Sequence, residues 1–251
     1  MPPPPLPASL AAALVLAASD TPSRTEQVAA ALRPSQAQLQ TIYVAAGYAA
    51  IILVLWRMPI LTVALHEFGH ASAGCCTGAR VESITLDPDE GGLTRMRGGN
   101  PFITLPAGYI GSAFWGSLMI FAGFNTNASK VVGAVVGLAM LATLIWAKNW
   151  LTRGITVLFI GLIALLWWFS DGFYLRYFVL FLGVMSACYS LWDIVDDLIS
   201  RRVNESDASQ FSRICCGGCL PPQFWGVIWL LISFLFVAAA IVGALAAFKE
   251  A

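Results

Sequence analysis

Apolar residues in this chain are gathered into long runs separated by short polar joints, and run length governs the first reading. Seven segments, at about 41 to 56, 59 to 77, 101 to 123, 131 to 147, 152 to 169, 174 to 199 and 224 to 247, approach the ~20 residues that a helix needs to cross a bilayer core. The first and fourth are short. Tyr43, Trp56, Trp150, Trp167, Trp168, Trp192, Trp225 and Trp229 fall near segment ends, where aromatic rings anchor spans at the water interface. The pattern predicts an all-α polytopic membrane protein with about six or seven transmembrane helices.

One joint, 78 to 100, has a different character. Val81-Glu82-Ser83-Ile84-Thr85-Leu86 alternates with strand period, Asp87-Pro88-Asp89-Glu90-Gly91-Gly92 reads as a turn, and Leu93-Thr94-Arg95-Met96 returns as a second strand. A short β-hairpin after the second span is expected, the alternative being a plain solvent loop. Residues 1–38 read as a flexible amino-terminal tail. Their apolar run at 8–18 resembles a signal-peptide core but has no positive charge before it and is too short to span. A short helix at 25–33 is expected in the tail, with Glu26 near its start and Pro34 ending it. Residues 39–248 then form one membrane-embedded domain.

Composition sharpens this. Of 251 residues, 58% are hydrophobic and 11% charged, against about 25% charged in ordinary soluble domains. The formal charge is zero and no basic run exists, which argues against a nucleic-acid partner. The lipid bilayer is the expected surrounding. Lys and Arg, sorted by alternate joints, number ten on the side shared by the tail and the 78–100 joint and four on the other. The richer side should be cytoplasmic, so the amino terminus is predicted inside and the carboxyl terminus outside. Five of the six cysteines form two groups, Cys75/Cys76 and Cys215/Cys216/Cys219, with Cys188 alone. Zinc ligation, palmitoylation beside membrane ends, and plain reduced thiols all remain open for them.

The second span contains the only two histidines, in His66-Glu67-Phe68-Gly69-His70. Helix positions i and i+4 share a face, so both imidazoles can hold one Zn²⁺, with Glu67 on the adjoining face as proton acceptor. Ionisable groups at membrane depth are costly and are functional candidates for that reason. A catalytic zinc needs a third protein ligand, and without another histidine it must be a carboxylate or thiolate. Asp193, Asp196, Asp197 and Asp207 are the choices. Asp193 lies eight residues before Arg201, about 12 Å deeper by helix rise, whereas Asp207 also suits the first turn of a helix. Spacing alone does not choose.

With these residues in place, the chain resembles the site-2 protease family of integral-membrane zinc metallopeptidases. The likeness extends to Gly92-Leu93-Thr94, Ala107-Gly108-Tyr109, Asn149-Trp150, Ser206-Asp207-Ala208 and Trp225, covering roughly residues 55 to 240. Site-2 proteases take their third ligand from a Leu-Asp-Gly, which is absent here; the Ser-Asp-Ala of one branch makes Asp207 the first choice and Asp193 the second. The resemblance implies a zinc metalloendopeptidase with Glu67 as proton carrier, acting on membrane protein substrates within or beside the bilayer. It also implies a hairpin that holds substrate extended by strand addition, and a substrate or oxyanion contact for Asn149, whose alternative is a helix-end amide. A protease-derived protein that binds or escorts membrane clients without cleaving them is the competing reading. A transporter is disfavoured, since no inverted repeat is evident.

Overall fold

The computed structural model describes residues 23–54, 60–87, 91–199 and 206–249. Among them the chain forms α1 (Arg24–Leu32), α2 (Gln36–Val54), α3 (Ile60–Cys76), β1 (Arg80–Asp87), β2 (Gly91–Arg97), α4 (Pro101–Ala122), α5 (Thr126–Trp146), α6 (Trp150–Ser170), α7 (Phe173–Ile199), α8 (Asp207–Cys216) and α9 (Pro222–Ala247). Each apolar segment forms a helix. Five stretches are long and apolar enough to cross a membrane: Pro101–Ala122, Thr126–Trp146, Trp150–Ser170, Phe173–Leu191 and Pro222–Ala247. The chain is thus an all-α polytopic membrane protein with one small hairpin.

Local chemistry starts and stops these helices. Ser23 and Glu26 form a reciprocal cap on α1, the helix expected in the tail. Asn100 caps α4 ahead of Pro101, and Asn125 and Asn149 cap α5 and α6 through their side-chain oxygens. Between α4 and α7 the contact is backbone to backbone. A β-carbon on Gly183 would lie 2.7 Å from the amide nitrogen of Ile120, and one on Gly116 would lie 3.1 Å from the carbonyl oxygen of Gly183. Small residues are what allow helices to approach this closely in a membrane.

The two strands pair antiparallel, with Ile84 opposite Thr94 and Thr85 opposite Leu93, and a bulge at Val81/Ser83. Ile84 is bridged in parallel to Ala147, the Asn149 amide donates to the Leu86 carbonyl (2.7 Å), and the Leu86 N–H donates to Thr152 Oγ1 (3.1 Å). The outer edge of β1 is therefore occupied by the segment leading into α6. The far edge of β2 pairs with no further strand among the described residues.

The hairpin defines one end of the bundle, and the amino-terminal helices sit at the other. Gln38, fully buried, donates through Nε2 to the carbonyls of Ala244, Leu245 and Phe248 at the end of α9. Lys249 Nζ donates to the Ala30 carbonyl at the end of α1. Buried Arg176 joins the same end, donating to the Gly123 carbonyl that closes α4 and to the Thr41 hydroxyl of α2. This corrects the expected topology, in which the tail shared a side with the hairpin and lay opposite the carboxyl terminus. Hydropathy had counted two crossings for the first two segments. In the structure α2 starts beside the end of α9 and α3 ends at the hairpin, so these two points lie at opposite ends of the bundle.

Cys75, Cys76, Cys188 and Cys215 are free thiols, whereas Cys219 is disulfide-bonded, unlike the reduced-thiol reading of its group.

Candidate metal centre

His66, Glu67 and His70 lie on α3, each less than 9% exposed. Helical spacing brings the imidazoles to one face, with Nε2 of His66 and Nε2 of His70 3.0 Å apart. Asp207 comes from 137 residues further along than His70. It is the first residue of α8, whose cap is the Ser206 side chain accepting from the Ser209 N–H at 3.2 Å. From there its Oδ2 stands 3.3 Å from His66 Nε2 and 3.0 Å from His70 Nε2. Three candidate ligand atoms converge from two elements that are remote in sequence.

The donor set fits a zinc ion. His70 Nδ1 lies 2.7 Å from the Thr104 carbonyl, which can only accept, so Nδ1 carries a proton and Nε2 is the ring nitrogen placed to bind a metal. Nε2 faces a carboxylate oxygen and a second imidazole nitrogen, so the three atoms are placed to share one cation. The three separations, 3.0, 3.0 and 3.3 Å, are close to the edge of about 3.3 Å expected for tetrahedral ligands 2.0–2.1 Å from zinc.

Glycines make the pocket possible. A β-carbon on Gly108 of α4 would lie 2.5 Å from both His66 Nε2 and His70 Nε2. One on Gly69 would lie 2.4 Å from the Ala107 carbonyl oxygen. The α3 and α4 backbones thus cross with nothing but hydrogen between them, and this seats the His70 ring on the Thr104 carbonyl. Tyr109, 3% exposed, meets the His66 ring edge to face at 4.8 Å and stacks on Trp229 of α9 at 5.5 Å. Phe211 of α8 packs on Trp225 and Trp229, so the helix that carries Asp207 is clamped to α9 by aromatic contacts.

Glu67 faces the hairpin. Thr94 Oγ1 donates to Glu67 Oε2 at 2.6 Å, and the Glu67 main-chain oxygen lies 3.0 Å from the same hydroxyl. A β-carbon on Gly92 would fall 2.4 Å from Glu67 Oε1 and 2.6 Å from Val63 Cγ1, so the strand reaches α3 only because residue 92 is glycine.

Of the residues singled out from sequence, the structure assembles His66, His70 and Asp207, with Glu67 beside them. Asp193 lies on the last turns of α7, and its side chain is outside the described residues. Asn149 is engaged as the α6 cap and as the donor to Leu86. Thr104, Gly108, Gly92 and Thr94 acquire their roles only from the structure. The tripeptides Gly92-Leu93-Thr94 and Ala107-Gly108-Tyr109 were the sole signal for Gly92, Thr94 and Gly108, and Thr104 carried none; without a partner in view such a signal assigns no task.

Fold and site together define a polytopic membrane protein with an HExxH helix whose histidines meet an aspartate from a distant helix. Comparison with known families agrees: the chain belongs to the Peptidase M50B-like family, whose model matches residues 39–240. This accords with the likeness to site-2 proteases. No curated protein and no solved structure matches the chain.

Proposed function

We propose that this protein is an intramembrane zinc metalloendopeptidase that hydrolyses peptide bonds in or near the membrane-spanning segments of other membrane proteins. The observation that carries the reading is the convergence of His66 Nε2, His70 Nε2 and Asp207 Oδ2 next to a buried Glu67. Those three atoms would hold Zn²⁺, which when bound supplies a Lewis acid toward the scissile carbonyl and its attacking water. Glu67 takes a proton from that water as its oxygen bonds to the carbonyl carbon, and returns it to the amine nitrogen as the C–N bond breaks. The Thr104 carbonyl keeps His70 in the tautomer that presents Nε2.

A substrate helix has to unwind before its backbone can enter such a site. The far edge of β2, which pairs with no strand among the described residues, belongs to the strand whose Thr94 bonds Glu67, and this supports strand addition as the way the unwound segment is held. The test is turnover of a transmembrane peptide by detergent-purified protein and by Glu67→Gln. Cleavage by the wild type alone supports the reading; equal cleavage by both removes it. Client binding without cleavage by zinc-loaded wild type would favour the escort alternative.

A further inference from the structure

The inner face of β2 presents Gly92, Thr94 and Met96 to α3, while Leu93, Arg95 and Arg97 face outward and are exposed or partly so. Gly92 lies against the Glu67 side chain, Thr94 bonds its carboxylate, and the Met96 sulfur is 2.9 Å from where a β-carbon on Gly74 would stand. The strand is therefore seated along the same helix that carries both histidines. Glu67 has three side-chain torsions and would sample several rotamers if left alone. Here the space beside Gly92 takes up Cγ and Oε1, and the Thr94 hydroxyl fixes Oε2. Threonine suits this task in a strand, since its branched β-carbon restricts χ1 and so aims the hydroxyl. The carboxylate oxygen is the shorter of the two contacts that hydroxyl makes, as expected for a charged acceptor.

We infer that Thr94 is a positioning residue for the reaction, its hydroxyl holding the Glu67 carboxylate in register so that hairpin and proton carrier behave as one unit. The inference rests on the peptidase reading above. It adds that the strand offering its edge to substrate also aligns the base, so a peptide seated on β2 meets a carboxylate fixed by the same strand.

The experiment compares full-length wild type, Thr94→Val, Thr94→Ser and Glu67→Gln in detergent. It reads kcat and KM on a transmembrane peptide, zinc per chain by elemental mass spectrometry, and the thermal midpoint. Thr94→Val is expected to lower kcat by about 10- to 100-fold, the scale of a misplaced catalytic group, while KM, zinc content and midpoint stay near wild type. Thr94→Ser, which keeps the hydroxyl, is expected to recover most of that loss, and Glu67→Gln to give no turnover. Undiminished kcat in Thr94→Val would overturn the inference while leaving the peptidase reading intact. Equal losses in the valine and serine variants, or loss of zinc from either, would overturn it in favour of a packing role. Absence of turnover by zinc-loaded wild type would overturn both.

Discussion

Gly108 lies against His66 so closely that a single added methyl group would overlap the ring nitrogen that faces Asp207. The crossing of α3 and α4 has no slack at that point, because Gly69 is pressed in the same way onto the Ala107 carbonyl. Gly108→Ala should displace one or both imidazoles. The expected result is zinc affinity weakened by at least about tenfold, a typical cost of disturbing the support of a metal ligand, read by competition with a chromogenic chelator. Gly137, with nothing within 4 Å of its β-position, is the control: Gly137→Ala should bind zinc like the wild type.

Asn149 ties the hairpin to α6. Its side-chain oxygen caps the helix at the Thr152 N–H, and its amide donates to Leu86 in the strand that supports β2. Asn149→Ala removes both bonds, and the cap alone is worth about 1 kcal/mol. A lowered thermal midpoint with zinc content unchanged is the expected outcome. Unaltered stability combined with a raised KM would instead assign the amide to substrate.

Arg176 is buried, and among the described residues its side chain makes no ion pair with a carboxylate. It is held by the Gly123 carbonyl and the Thr41 hydroxyl, and so joins α2, α4 and α7 at the end remote from the metal centre. Arg176→Met should leave that carbonyl and hydroxyl without this donor and destabilise the bundle by about 1–3 kcal/mol. Thermal unfolding in detergent measures it, with zinc per folded chain expected to stay constant.

Much of the site was legible from sequence because its central element is local. Two histidines four residues apart share a helix face in any context, and an apolar setting makes them expensive unless used. Asp207 was one of four carboxylates left open, and only family likeness put it first, since no spacing rule connects residue 70 to residue 207. Thr94 and Gly92 act across a strand-to-helix contact, and alternation in the hairpin tells which residues share a face but not what that face meets. Topology failed for a different reason. Hydropathy counts apolar segments, and it has no means of seeing that α2 begins where α9 ends, where buried Gln38 reaches three carbonyls.

That contact has a direct consequence. The amino-terminal helix and the end of α9 occupy the same end of the bundle, so epitope tags inserted directly before α1 and directly after α9 should become accessible from the same membrane face. Selective permeabilisation with antibody labelling reads this. Tags that respond on opposite faces would contradict the arrangement of α1, α2 and α9.

The central claim is that His66, His70 and Asp207 hold one zinc ion, and zinc per chain in purified, folded protein tests it most directly. Near-stoichiometric zinc in the wild type, lost in both His66→Ala and Asp207→Ala at an unchanged folded fraction, is the predicted result. Zinc that survives both substitutions, or its absence from wild-type protein purified and dialysed against the metal, would contradict it.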